Sequence, residues 1–448
     1  MTHLELLREI IGNLQRTPLK PGPIGLSDLA QAGLVHGRFN LRTLEVTGLT
    51  SAGMHALGDL ARSLQENNPD LNRAASREKI SEVLFNIVLD DFLDLDPTAV
   101  TPEHLAQLRD HLRRWAATHR VKRLHLIGCL IAPRDCGAFA VGPVQFFHLS
   151  QFDERRKEWA AQYSDAPDLA YEPFLREMAQ SGAHYIAQVE VQDRESARSA
   201  DVADLTVDLA LSGLQLIFPC KESRHFARVS GRRFSPGRDD LVISNDGVQA
   251  GGQNRSPGLM LLPEQLQLAV THGSKVLMSI GNRLDAFLGH RTSSLPRLEQ
   301  TWCDAAYWMH EGFAESIDTI AVAKLETALE VLMSAESTKL SSARLRTALR
   351  VFNGLLPDQR IFTDSSQTVE EFVKEVVETR SRVLHGTFST LTKETSELAR
   401  AIAILVGDHV LKFTLALDRY AGQCGAEDDA GSLLSWLEAE RAWSWNWS

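Results

Sequence analysis

The segment TVEEFVKEVVETRSRVLHGTF, residues 368–388, decides how the C-terminal third of this 448-residue chain is read. Val369, Phe372, Val373, Val376 and Val377 recur at helical spacing, which predicts an amphipathic helix with one face in a core. The segment then runs Arg380-Ser381-Arg382-Val383-Leu384-His385-Gly386. Ser381 and His385 are four apart and fall about 40° apart on one helix face. Arg380 lies about 140° from His385 around the axis, but its long side chain can bend toward the same cleft. Gly386 stands where a helix ends or where its backbone approaches a partner.

Around this segment the chain is nearly all helical from Pro263 onward. The spacing predicts helices over 297–314, 316–336, 339–355, 368–386 and 392–419, with the short connections of a bundle. Residues 262–289 read as a helix pair or one interrupted helix, and RTSSLPR (291–297) as a boundary. At the end of the chain, Trp443, Trp445 and Trp447 alternate, as in a docked strand or a cover over an apolar patch.

Before residue 290 the pattern is mixed. Residues 3–16 predict a short amphipathic helix, FNLRTLEV (39–46) a strand, and 50–120 helices with a turn-rich break at 67–72. VKRLHLIGCLI and FAVGPVQFFHL (within 121–149) read as a hairpin or strand pair. Helices over 152–182, a strand at HYIAQVEVQ and a long helix over 195–216 follow. The polar, Gly-rich stretch 244–258 reads as a loop. The expected fold class is therefore α+β: an N-terminal mixed α/β region followed by a C-terminal all-α helical bundle. The expected divisions are 1–150, 151–290, 291–420 and a Trp-rich tail, 421–448.

Composition is that of a globular protein, 44% hydrophobic and 23% charged. The formal net charge of −11 excludes a generic basic coat for nucleic acid, so any contact with phosphate must be local. One candidate patch is 221–238, with Lys221, Arg224, Arg228, Arg232, Arg233 and Arg238, which reads equally as a solvated loop or strand edge. Five scattered cysteines without a CxxC pair fit a reduced cytoplasmic setting. The N-terminus lacks signal-peptide character, and no apolar run reaches the roughly 20 residues of a membrane span.

Most chemical motifs fail on spacing. His125, Cys129, Cys136 and His148 match no zinc module, and His310-Glu311 with Glu315 departs from H-E-x-x-H. The Gly-rich stretch lacks P-loop order, and no G-x-S-x-G elbow exists. No metal and no cofactor is expected.

The segment 380–386, R-S-x-x-x-H-G, resembles the signature of the HEPN ribonuclease superfamily. The upstream stretch IDTIAVAKLETALEVLMS (317–334) resembles a helix of its ApeA-like branch, with Glu330 the better match to an acidic position and Glu326 the competitor. The resemblance covers residues ~295–420. It implies a metal-independent endoribonuclease with Arg380 and His385 catalytic, Ser381 as the polar residue of the motif, and Glu330 orienting the Arg or His. It also implies an RNA substrate, a homodimer or higher homo-oligomer that completes the site, and a role as an anti-phage or abortive-infection toxin. The first 290 residues would then answer to an unidentified trigger.

The chemistry asks for these residue types. A His with a near-neutral pKa suits proton removal from a ribose 2′-OH, and a guanidinium clamps the phosphate as charge develops. Arg382 competes with Arg380 as the working cation or grips substrate. Arg346 and Arg350, with Arg344, give the helix 339–355 a basic face that lines an RNA path or is simply solvated. The rival class is a non-catalytic helical module for RNA binding or partner docking.

Overall fold

The computed structural model describes residues 1–18, 29–30, 33–40, 42–163, 168–218, 221–231, 237–244, 247–254, 261–363, 365–387 and 395–445. The fold is α+β and the chain divides into two compact units. The first comprises Met1–Arg123 with Val191–Asp201, the second Leu124–Glu190 with Val202–Ser448.

The first unit begins with α1 (His3–Gly12), β1 (Leu14–Pro18), β2 (His36–Asn40) and β3 (Glu45–Leu49). The strands form an antiparallel sheet in the order β1-β3-β2. Helices α2 (Ser51–Glu66), α3 (Pro69–Ala74), α4 (Arg77–Asp91) and α5 (Pro102–His119) follow. Leu7, Ile10, Leu57, Leu60, Leu84, Val88 and Leu108 meet in one core.

Two expectations are corrected here. The first helix stops at Gly12 because Asn13 caps it, donating from its side-chain amide to Glu9 O and accepting from the Thr50 hydroxyl. Leu14 therefore enters a strand. FNLRTLEV is not one strand but the turn of a hairpin. Asn40 Oδ1 accepts from the N–H groups of Arg42 and Thr43, and Leu44 has φ +51°, which reverses the chain.

The strands β4 (Val121–Leu130), β5 (Phe139–Val141), β6 (Val144–His148), β7 (Tyr185–Arg194) and β8 (Ala227–Arg228) form a sheet in the order β5-β6-β7-β4-β8. The expected pairing of the two β-rich stretches within 121–149 does not form. FAVGPVQFFHL closes on itself as the β5–β6 hairpin, and β4 lies beyond β7. The hairpin turns at Gly142, whose φ is +55° and which sits against Gly281. A Cβ there would come within 2.4 Å of the Gly281 Cα. Gly142→Ala combines a clash against backbone with left-handed strain. It is expected to destabilise the chain by about 2–3 kcal/mol, read as a lower urea midpoint with an unchanged slope.

Helices α6 (Phe152–Gln162) and α7 (Asp168–Ser181) precede β7, and α8 (Ser196–Ile217) follows it. Phe147, Phe152, Trp159, Met178 and Ile186 form the core under the sheet. The Gly-rich stretch expected as a loop instead contributes β10 (Gly247–Asn254), antiparallel to β9 (Gly237–Ser244). Ladder pairing uses backbone groups alone, so a side-chain-poor sequence can still form it. Residues 245–246 and 255–258 of that stretch lie outside the described residues.

The rest is helical: α9 (Pro263–His272), α10 (Ser274–Leu288), α11 (Pro296–Phe313), α12 (Asp318–Leu332), α13 (Thr338–Asn353), α14 (Val369–Leu384), α15 (Ser396–Tyr420) and α16 (Ala430–Ala439). Helix α12 is central and packs against α11, α13, α14 and α15. Its buried positions run nearly all round the helix, from Thr319 through Val322, Leu325, Glu326 and Leu329 to Leu332. A buried polar network ties α10, α11 and α15 together. Arg283 reaches Glu299 at 2.5 Å and Asp418 at 2.5 Å, while Trp302 Nε1 donates to Thr414 Oγ1 at 2.6 Å.

The tail is helical rather than a docked strand. Beyond α16, Trp445 lies 5.4 Å from the Trp436 ring, with the Arg419 guanidinium 4.5 Å over it. Trp443 sits beside Gly354 and stays more than half exposed, and Trp447 lies outside the described residues. Among the described residues no helix is long and apolar enough to cross a membrane.

Candidate active site

Helix α14 is fixed at both ends by local chemistry. At its start Thr368 and Glu371 form a capping box, each side chain accepting from the other's backbone N–H. Val369, Phe372, Val373, Val376 and Val377 are buried, the face that periodicity predicts. At its end the Gly386 N–H donates to Val383 O at 3.1 Å and the Thr387 N–H to Arg382 O at 3.0 Å. With Gly386 at φ +66° this is a Schellman stop. The glycine of R-S-x-x-x-H-G therefore has a structural task, and His385 is the C-cap residue itself.

The motif's two ends have opposite environments. The His385 side chain is exposed and makes no hydrogen bond or ion pair among the described residues. Arg380 turns inward to α12, with Nη2 2.7 Å from Glu330 Oε2 and Nε 3.3 Å from Glu326 Oε2. The second contact is an ion pair without hydrogen-bond alignment, because Arg380 Nε and Glu326 Oε2 both count as buried atoms lacking a hydrogen bond. Ser381 is half-buried between these ends, and Arg382 is exposed.

Both glutamates that compete in the sequence thus meet the same guanidinium, one helical turn apart on α12. They are not equivalent. Glu326 is 1% exposed, and its Oε1 accepts from Ser341 Oγ on α13 at 3.1 Å. Burial first, and then the charge of Glu330, push its carboxyl up to about 8, against the opposing pull of Arg380 and Ser341. Near neutral pH the protonated form of Glu326 is therefore favoured beside the guanidinium. Ser341 had no signal in the sequence; a serine on a basic helix is visible as a partner only once α12 and α13 are packed.

The arginines expected to hold substrate are already engaged. Arg346 is bidentate with Glu370 in the first turn of α14, at 2.6 and 2.7 Å. Arg350 pairs with Glu438 of α16 at 2.9 Å. Arg344 is bound to the carbonyls of Met333 and Ser334. All three are occupied in this chain, the first two by carboxylates that a phosphate would have to displace.

Within 221–238, Arg228 is not part of a basic surface. It is held by Asp208 at 2.8 Å and Asp204 at 2.7 Å. Arg232 and Arg233 lie outside the described residues. His310, from the failed zincin pattern, is buried and contacts Gln215 at 3.1 Å; burial lowers its pKa. Cys129 and Cys303 are buried, which pushes both thiols up. Among the described residues no three His, Cys, Asp or Glu side chains are grouped to hold a metal ion.

Set against known proteins, the chain matches no family model, no curated protein and no solved structure.

Proposed function

We propose that this protein is a metal-independent endoribonuclease of the HEPN class, acting through Arg380 and His385. The observation that carries the reading is the pairing of roles along one helix end. His385 offers an exposed imidazole at a rigid Schellman stop. Five residues earlier, Arg380 is oriented by two carboxyls on one helix, those of Glu330 and the buried Glu326. An accessible base and a positioned guanidinium are what in-line transfer at phosphorus requires.

In this reading the neutral His385 takes the proton of a ribose 2′-OH. The 2′-oxygen bonds to the adjacent phosphorus, the bond from phosphorus to the 5′-oxygen breaks, and that oxygen leaves with a proton from a general acid. The products are a 2′,3′-cyclic phosphate and a 5′-OH. Arg380 and His385 project about 140° apart around α14, so a second copy supplying its own His385 would complete the cleft and provide the acid. Ser381, on the His385 face, and the exposed Arg382 would bind the flanking phosphate. An anti-phage toxin is the biology this chemistry suits.

One observation favours a second reading, a helical docking module with an idle motif rather than a nuclease or an RNA-binding module: Arg346 and Arg350 are both paired with glutamates. Incubation of the full-length protein with a mixed-sequence RNA in EDTA separates the two. Cleavage leaving 2′,3′-cyclic phosphate and 5′-OH ends supports the nuclease. Absence of both cleavage and RNA binding, with or without a second copy bound, supports the docking module.

A further inference from the structure

The Glu326–Glu330 pair does more than hold Arg380 in place. A guanidinium facing two ionised carboxylates would sit in a net negative site, and a phosphodiester monoanion, and still more its dianionic transition state, would be repelled. With one carboxyl protonated the local charge is zero before substrate arrives. The geometry selects which one. Glu330 makes the shorter ion pair, 2.7 Å to Arg380 Nη2. Glu326 lies deeper, 1% exposed, takes the Ser341 hydroxyl on one oxygen, and has its other oxygen buried without a hydrogen bond. A proton on Glu326 gives that carboxyl a donor toward Glu330, where among the described residues its buried oxygen has the Arg380 ion pair but no hydrogen bond.

We propose that Glu326 is a positioning residue for Arg380, acting as a neutral acid that bridges Ser341 and Glu330 and leaves the guanidinium free to receive a phosphate. This rests on the ribonuclease reading above. The groups leading the electrostatics at Glu326 are Glu330 on its own helix, Arg380 on α14 and the Ser341 hydroxyl on α13. Helices α11 and α15 also pack on α12 but supply none of these leading interactions. Burial and Glu330 favour the protonated form, and Arg380 opposes it. Loss of the proton at alkaline pH turns the site net negative.

The test compares wild type with Glu326→Gln and Glu326→Leu, all as the full chain. Gln keeps the shape and hydrogen bonding of the neutral acid and cannot ionise. At pH 7 it is expected to cleave RNA within about threefold of wild type, while Leu, which cannot bond Ser341 or Glu330, loses about a hundredfold. Between pH 7 and pH 9 wild type should lose about tenfold relative to Gln, the fraction of protonated acid one unit above its midpoint. Parallel pH profiles for wild type and Gln would overturn the proposal. So would Gln failing as badly as Leu while all three unfold at the same temperature. If wild type cleaves nothing, the ribonuclease reading fails on its own, and the acid pair is then judged by unfolding. The wild-type melting temperature should fall from pH 6 to pH 9 relative to that of Gln, and superimposable curves would refute the bridging proton.

Discussion

Replacing His385 by alanine is expected to reduce cleavage of RNA in EDTA by about 10²–10⁴-fold, the usual contribution of a positioned general base, while leaving thermal unfolding unchanged. The second half of that statement gives the first its force. The His385 side chain is exposed and unbonded among the described residues, and the helix stop is made by backbone groups and Gly386 rather than by the imidazole. Its removal therefore falls among surface substitutions worth within about 0.5 kcal/mol. Arg380→Ala is a poorer probe of chemistry. It strips the cation from Glu326 and Glu330, so lost activity would be mixed with lost packing. Single-turnover cleavage rates beside melting temperatures give the decisive comparison. Equal rates for wild type and His385→Ala would remove His385 from the mechanism and leave the docking module as the better account.

How much of this site was legible in the sequence depends on whether the information is local. Helix α14 was legible because its apolar positions repeat at helical spacing over 369–377 and its ends carry their own signals. Thr368 and Glu371 spell a capping box, and Gly386 marks the stop. Glu326 was harder to read. Helix α12 is central and buried almost all round, so no polar stripe distinguished Glu326 from Glu330, and only packing against α14 shows that both meet Arg380. Arg346 and Arg350 read as an open basic face because their carboxylate partners are remote in sequence, Glu370 on the next helix and Glu438 on the last but for a short turn. The same limit explains the β9–β10 hairpin. A run of Gly, Gln and Asn carries turn propensity but no side-chain record of a ladder made by backbone groups. The Leu44 reversal was missed for a related reason: it depends on an Asn40 side chain acting on amides two and three residues ahead, within what alternation alone presents as one strand.

The largest stability effect is expected at Arg283, a residue with no part in the proposed chemistry. Arg283 is 1% exposed and serves two carboxylates from different helices. Its Nε donates to Glu299 of α11 at 2.5 Å, and its Nη1 and Nη2 donate to Asp418 of α15 at 2.7 and 2.5 Å. Nη1 also donates to Ser279 O, and the Ser279 hydroxyl donates to the other Asp418 oxygen at 2.5 Å, so the fork is closely matched by acceptors. Arg283→Met keeps much of the volume but removes the shared cation, and the cost then depends on what remains. Glu299 retains Arg291 at 2.8 Å, whereas among the described residues Asp418 retains the Ser279 hydroxyl and its partial exposure to water. Breaking a buried pair from one side costs about 3–5 kcal/mol, and the remaining partners place this case near the lower end. For a unit of this size the loss corresponds to a fall of roughly 5 °C in the melting temperature. If the cost comes from stranded charge, neutralising the acids should recover much of it. The triple variant Arg283→Met, Glu299→Gln, Asp418→Asn is accordingly expected to melt several degrees above the single variant. A triple variant no more stable than the single one would locate the loss in packing around the guanidinium stem instead. The network would then act as a steric wedge between α10, α11 and α15 rather than as an electrostatic tie.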